Sequence, residues 1–398
     1  MRPLLPLPVP TGDAVLSLLP TLARALAGDL PHALAPHAEG TAPPAALAPG
    51  TALTPAEDSP DDPTAVVVAT SGSTGTPKGA LLPAGALRAS AAATAARLAP
   101  GAGTQQWVLA LPAHHVAGLQ VLLRSVRAGT EPVVLPPGPS TAAAFVAATA
   151  AATGRHLLTS LVPTQLVRLL DAGGEAVAAL TRYAAVLVGS AATPAPLLAR
   201  ARAAGIAVVT TYGSSETCGG CVYDGVPLDG VQPSLEDGRL VLAGPVVARG
   251  YRGLPGHPAF RDGRFRTDDT ADLREGRVHV LGRVDDLITT GGLKVAPAVV
   301  EDALAGLPGV GEVVVVGVED PEWGQRVVAC VVPEHPGGPV PTLEAVRERV
   351  GRDVARHAAP RQLLVLPALP LRGPGKPDRA RLRDLAAGRP PLGEPPRR

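Results

Sequence analysis

From Thr64 to Thr210 the chain alternates short apolar or β-branched runs with stretches of helical spacing, and few folds can accommodate that alternation. Strands are expected at Thr64–Thr70, Gln106–Leu111, Pro132–Leu135, Leu157–Leu161, Ala184–Val188 and Ile206–Thr210. Helices are expected between them at Ala84–Leu98, Val116–Val126, Thr141–Ala152, Gln165–Leu170 and Pro196–Ala203. Strands that alternate with helices form parallel or mixed sheets covered by helices, so the fold class is α/β.

The texture changes after Tyr212. Short alternating runs at Arg239–Ala243, Arg264–Thr267 and Arg277–Leu281 predict hairpins and a small β-subdomain. From Gly282 the pattern restarts, with helices Pro297–Ala305 and Thr342–Arg352 and strands Glu312–Val318, Arg326–Val332 and Gln362–Leu366, a compact α+β unit. The expected organisation is a large N-terminal domain over residues 1–282, a hinge at 283–286, a small mobile C-terminal domain at 287–385 and a disordered Pro/Arg-rich tail at 386–398. Residues 1–60 read as one helix, around Ala14–Leu19, followed by a turn-rich loop (Ala35–Pro63).

Composition excludes several classes. Aromatic residues are 2% of the chain while hydrophobic residues are 46%, so the core must be built from Ala, Val and Leu. Lys plus Arg number 36 and Asp plus Glu 35, which leaves no electrostatic footprint for nucleic acid. No apolar run reaches the ~18 residues of a membrane span. Three cysteines cannot make a disulfide framework and suit a reducing compartment, so a cytoplasmic protein is expected. Cys218 and Cys221 have CxxC spacing but no second pair, which argues against zinc.

Lysine is rare. Three remain, Lys78, Lys294 and Lys376, against 33 arginines. A surface cation can be Arg, whereas a compact ammonium on a flexible stem suits a phosphate or a reacting oxygen. All three lie in loops rich in Gly, Pro or Thr.

Lys78 ends Ser71-Gly72-Ser73-Thr74-Gly75-Thr76-Pro77-Lys78-Gly79, directly after a predicted buried strand. Glycines let backbone N–H groups converge on an anion, and hydroxyls and an ammonium add donors, so the segment is a phosphate cradle by chemistry. It lacks the Gly-Lys-Ser/Thr of the P-loop. Tyr212-Gly213-Ser214-Ser215-Glu216-Thr217 follows another strand and should face the same crevice, offering a ring, hydroxyls and a carboxylate able to hold Mg²⁺. His114 and His115 are adjacent, a poor metal spacing, so one is expected in the crevice and one in a structural role. Paired Asp at Asp268-Asp269 and Asp285-Asp286 suits a metal, acid–base chemistry, a ribose contact or a hinge of alternating ion pairs.

In this order and over residues ~64 to ~380, these segments resemble the adenylate-forming superfamily of acyl-CoA synthetases, adenylation domains and luciferases. Within it, LPAHHVAGL (Leu111–Leu119), TSLVPTQL (Thr159–Leu166) and the short chain are most similar to the 2-succinylbenzoate–CoA ligases of menaquinone biosynthesis in their short actinobacterial form. The resemblance implies ATP, Mg²⁺ and CoA, and a small carboxylic acid that becomes an acyl-adenylate and then a thioester. It implies no nucleic acid and no membrane span, and is compatible with a homo-oligomer.

Matched residue by residue, Ser71–Gly79 is the phosphate loop, Tyr212 and Gly213 meet the adenine, Ser215 the α-phosphate, and Glu216 the Mg²⁺. Gly189, Ser190 and Ala191 match the adenine-side strand end, Asp269 and Arg283 the ribose contacts, Asp285 the hinge and Lys376 the adenylation lysine. His115, Val116, Gly118 and Thr164 match the acyl pocket, with His115 also counted as catalytic. Gly291, Gly292 and Lys294 fall where the CoA tunnel is expected.

Overall fold

The computed structural model describes residues 1–70, 77–99, 103–138, 140–371 and 377–388. Its centre is a seven-stranded sheet. Five strands run parallel, in spatial order Val208–Ser214, Tyr183–Val188, His156–Leu161, Gln105–Leu109 and Val133–Val134. Gly219–Tyr223 and Val226–Pro227 extend it antiparallel beyond Val208–Ser214.

Both faces of this sheet are covered, and the period of two along each strand shows how. Trp107, Leu109, Leu158, Ala185 and Leu187 point into one core. Their neighbours Val108, Leu157, Val186 and Val188 point into another. Helices Leu19–Ala27, Ala84–Leu98 and Val116–Ala128 pack together over the first face. Ala142–Ala151, Pro163–Ala172, Gly174–Leu180 and Ala195–Ala203 line the second.

A second sheet has the order Leu4–Val9, Ala33–Ala38, Thr64–Ala69, Gly79–Pro83, Gly250–Tyr251. The first two strands lie where only a helix and loop were expected. Prolines hide them: Pro6 and Pro8 lack a donor but sit on the edge strand, where one side needs no partner. Pro36 of the neighbouring strand lies beyond its one paired position with Thr64–Ala69, Leu34 opposite Val66. Gly79–Pro83 was also unexpected, because it becomes a strand through antiparallel pairing with Thr64–Ala69 rather than through its own propensity.

The third sheet runs Gln232–Glu236, Arg239–Ala243, Arg264–Arg274, Phe260–Arg261, with Arg277–Arg283 paired to Arg264–Arg274. It matches the expected hairpin region. After Ile288 comes a fourth sheet, Leu293–Val295, Ile288–Thr290, Gly324–Pro333, Val310–Asp320, with Gln362–Val365 parallel to Gly324–Pro333. Its two cores contain no residue before Ile288. The last helix, Arg379–Ala386, buries Leu382 and Ala386 against this sheet. Among the described residues, no helix is long and apolar enough to cross a membrane.

A buried ion pair ties the N-terminal sheet to the strand beside the site. Arg252 meets Glu57, and Glu57 also accepts from the backbone N–H groups of Gly253 at 2.6 Å and Thr54 at 2.9 Å. Burial alone would raise the Glu57 pKa, but the Gly253 and Thr54 donors and the Arg252 charge more than offset it and hold it low. Arg252→Leu leaves that carboxylate buried without its cation and should cost about 3–5 kcal/mol in urea unfolding. Arg200→Ala, which removes an exposed pair with Asp171, should cost no more than about 1 kcal/mol.

Candidate active site

The parallel strands of the central sheet deliver their carboxyl ends to one crevice, the place where open α/β sheets bind ligands. Strand Tyr183–Val188 leads into Gly189-Ser190-Ala191. A Cβ on Gly189 would lie 2.2 Å from Thr211 Oγ1, and Ser190 has a left-handed backbone with φ 67°. Strand Val208–Ser214 leads into the single turn Ser215–Thr217. Thr217 Oγ1 accepts from Ser214 N at 2.9 Å and donates to Gly219 O at 2.8 Å, which folds the turn back on itself. A Cβ on Gly213 would sit 2.1 Å from Gly219 O, so only glycine fits there.

Tyr212 donates its hydroxyl to Asp269 Oδ2 at 2.5 Å. Arg283, paired across the hairpin from Asp269, approaches the other carboxylate oxygen at 3.8 Å. Asp268 points away and bonds Arg239 at 3.1 Å and Arg283 at 3.2 Å. The two adjacent aspartates are therefore sorted by the strand's pleat: Asp269 faces Tyr212, and Asp268 faces solvent and arginine. Burial raises the Asp269 pKa although the Tyr212 hydrogen bond and Arg283 oppose it.

Glu216 is 8% exposed and accepts from Tyr251 Oη at 2.6 Å through Oε1. Among the described residues nothing else bonds to its side chain, so Oε2 remains available to a cation. No group of three or more His, Cys, Asp or Glu side chains able to hold a metal exists among the described residues. One hard carboxylate suits Mg²⁺, which completes its shell with water and ligand oxygens. Lys78 reaches the same place: its Nζ lies 4.9 Å from the centre of the Tyr251 ring and 3.3 Å from His257 Nε2. Its backbone is fixed because Thr70 N donates to Lys78 O at 2.7 Å and Lys78 N to Thr70 Oγ1 at 3.2 Å, closing the base of the hairpin loop. Ser71, Gly72, Ser73, Thr74, Gly75 and Thr76 lie outside the described residues.

Beside these groups is a cavity whose wall includes Val116, Gln120, Arg124, Ser160, Gly189 and Gly213. Val116, Gln120 and Arg124 recur at helical spacing on one face of Val116–Ala128. Arg124 is 6% exposed, its guanidinium lies 5.0 Å over the Trp107 ring, and its one hydrogen bond among the described residues is to Tyr223 Oη at 3.4 Å. Its Nε has no partner there, nor has Oε1 of Gln120. A buried cation without a carboxylate partner marks a place for an anionic ligand group. Sequence reading missed Arg124, although its position on the apolar face of a predicted helix was the available signal.

Of the four residues expected in an acyl pocket, Val116 lines this cavity and the others do not. Gly118 is packed against the backbone, where a Cβ would meet Pro112 O at 2.4 Å. Thr164 lies in the first turn of helix Pro163–Ala172, half-buried and off the cavity wall. His115 occupies the N-cap of Val116–Ala128 and is exposed, with its ring 4.2 Å from that of His114. His114 is the more buried of the two. Burial, with the nearby His115 and His37, pushes its pKa down to about 4.

Of the C-terminal candidates, Asp285 reaches this cluster, through Arg283. Gly291 and Gly292 form the left-handed turn between Ile288–Thr290 and Leu293–Val295, and Lys294 is exposed on the second of these strands. Asp285 pairs with Arg283 at 3.6 Å. Asp286 holds Arg383 at 2.8 Å and Arg379 at 3.6 Å, and Arg379 also bonds Glu301 and Val315 O. Lys376 lies outside the described residues. The chain on either side of it is pinned by a bridge between Leu371 and Pro377 and by Asp378 N donating to Pro370 O at 2.8 Å.

Two outcomes test this geometry. The unfolded chain protonates position 114 near pH 6.5 while the fold resists until about pH 4, so stability present above pH 6.5 is lost as pH falls across that window. His114→Gln should flatten that part of the thermal-midpoint profile. Gly213→Ala should disrupt the turn and lower the thermal midpoint, as read by calorimetry alongside circular dichroism.

The profile of AMP-binding enzymes matches residues 21–236, and that of the AMP-binding enzyme C-terminal domain matches residues 299–376. The chain is 46% identical over 391 residues to a protein of Mycobacterium tuberculosis named "Probable 2-succinylbenzoate--CoA ligase", covering 96% of this chain and 98% of that one. It is 33% identical over 355 residues to the 2-succinylbenzoate–CoA ligase of Bacillus subtilis, covering 82% and 70%. The solved o-succinylbenzoate CoA synthetase of Bacillus subtilis, in complex with its acyl-adenylate intermediate, superposes with a TM-score of 0.70 at 30% identity over 81% of this chain and 69% of that one. The mixed sheets, the strand-end crevice and the C-terminal sheet are those of an adenylate-forming enzyme, and the chain belongs to the AMP-binding enzyme family.

Proposed function

We propose that this protein is an AMP-forming ligase that joins 2-succinylbenzoate to CoA at the expense of ATP. The observation that carries the choice of acid is Arg124. The substrate has two carboxylates, of which one is activated and the other stays an anion that must be received in a buried place. Arg124 supplies a buried cation in a cavity that shares Gly189 and Gly213 with the nucleotide crevice. Relatives that bear the 2-succinylbenzoate ligase name support the same reading.

The reaction has two displacements. A carboxylate oxygen of the acid attacks the α-phosphorus of ATP, and the bond to the β-phosphate oxygen breaks to release pyrophosphate. The CoA sulfur, giving up its proton, then attacks the acyl carbonyl carbon and AMP leaves. In the first step Tyr212 and Gly213 border the adenine, Asp269 and Arg283 take the ribose, and Ser215 meets the α-phosphate. The segment from Ser71 to Lys78 is assigned to the other phosphates. Mg²⁺, held by Glu216, would neutralise charge on the phosphates.

The obstacle in that step is electrostatic, because a carboxylate must approach a triphosphate. Lys376 is assigned to that gap. At ~4 Å and an effective dielectric near 20, a unit charge is worth about 4 kcal/mol, or roughly three decades of rate when realised in the transition state. A lysine borne on the part of the chain after residues 283–286 can move away once the adenylate has formed. Gly291, Gly292 and Lys294 then face the CoA. Free CoA is the acyl acceptor in this reading, and the small-molecule substrates and three free buried cysteines suit a cytoplasmic enzyme.

Lys376→Ala should abolish pyrophosphate release from ATP and 2-succinylbenzoate while leaving thioester formation from supplied acyl-adenylate largely intact; equal loss of both steps would overturn its role. Arg124→Leu should raise KM for 2-succinylbenzoate by about 100-fold, the scale of stranding one partner of a buried charge pair. A monocarboxylic analogue lacking the second carboxylate should be unaffected. A panel of acids in which 2-succinylbenzoate releases no pyrophosphate would overturn the substrate assignment.

A further inference from the structure

We propose that His257 is a second phosphate-binding residue, which donates through Nε2 to the same β- and γ-phosphate oxygens as Lys78 and stays on pyrophosphate as it leaves. This rests on the ATP-dependent reading above and names a residue in a loop to which no role has yet been given.

The argument is one of donors and acceptors. His257 Nδ1 accepts the backbone N–H of Ala259 at 3.2 Å. A nitrogen that accepts carries no proton, so the neutral ring must carry its proton on Nε2. Nε2 lies 3.3 Å from Lys78 Nζ. A lysine ammonium has three donors and no lone pair. Two donors therefore stand at hydrogen-bond distance, and neither can satisfy the other. An oxygen with several lone pairs and a negative charge satisfies both, and phosphate provides it. The opposite tautomer would let Lys78 donate to Nε2, but it would place a proton on Nδ1 where the Ala259 N–H already points.

The surroundings hold the ring in this role. Its edge packs on Tyr251, with centroids 4.8 Å apart and planes at 86°. Its own backbone is fixed by His257 N donating to Leu254 O at 3.3 Å and Phe260 N donating to His257 O at 2.9 Å. Tyr251 is also the residue that bonds Glu216, so the two donors stand over the ring next to the cation-binding carboxylate. Burial and the adjacent Lys78 lower the ring's pKa, which keeps it in the neutral form that the Ala259 contact requires.

The test is binding to the full-length protein, and it needs no acid substrate. Calorimetry with Mg²⁺ and inorganic pyrophosphate should show His257→Ala weakened about 10- to 100-fold, the scale of one hydrogen bond to a charged group. AMP, which has no β- or γ-phosphate, should bind as before. His257→Gln, whose amide nitrogen can stand in for Nε2, should recover most of the loss. Unchanged pyrophosphate binding in His257→Ala, equal loss for AMP, or no rescue by Gln would overturn the proposal. Nitrogen-15 shifts of His257 in the wild type read the tautomer directly; a protonated Nδ1 in the pyrophosphate complex would also overturn it. Wild-type protein that binds neither ATP nor pyrophosphate would overturn the ligase reading itself, a result distinct from the others.

Discussion

At the site, the hydrogen bond from Tyr251 Oη to Glu216 fastens the central sheet to the second sheet. Glu216 leaves the central sheet at the end of Val208–Ser214. Tyr251 belongs to the edge of the other sheet and pairs with Gly79–Pro83. A second link, Ala248 N to Glu216 O at 2.8 Å, holds the same two segments at backbone level. The strand that follows Lys78 and the turn that carries Glu216 are thus fixed relative to each other. A buried carboxylate needs such a partner, and the phenol satisfies one of its oxygens.

Around this bond, support passes outward in layers. Arg252, next to Tyr251, is locked to Glu57 and to the loop over Thr51 and Ala52. The N-terminal segment that reads as a Pro-rich loop therefore buttresses Glu216 from behind. On the other side, Cys218 has a left-handed backbone and its carbonyl accepts from Gln120 Nε2 at 2.6 Å and Ser90 Oγ at 3.1 Å. That carbonyl ties the turn after Glu216 to the helix that bears Arg124. The cysteines serve packing here: burial, aided for Cys218 by Cys221, raises both thiols, Cys221 to about 12, so they stay protonated.

Legibility varied with the distance over which each feature is decided. The helix Ala84–Leu98 and the strand Arg239–Ala243 have the bounds their patterns predict, because local periodicity and flanking Pro or Gly settle them. The strands Leu4–Val9 and Ala33–Ala38 were illegible because prolines signal a break unless the strand lies at an edge, and an edge is a property of the whole sheet. The choice between Asp268 and Asp269 was open for the same reason: which one faces Tyr212 follows from the register of Arg264–Arg274 against its neighbours.

What the sequence determined alone was the chemistry available: a loop dense in Gly, Ser and Thr ending on a rare lysine, a carboxylate after a strand, and an alternation that forces helices onto sheets. These are local properties, carried by residue type and spacing. Tertiary structure decided which charges are buried and which donors converge. Arg124 is one of 33 arginines in the sequence, and His257 one of nine histidines. Only packing puts the first within a cavity and the second against Lys78, because burial and partner geometry arise from contacts between segments far apart along the chain.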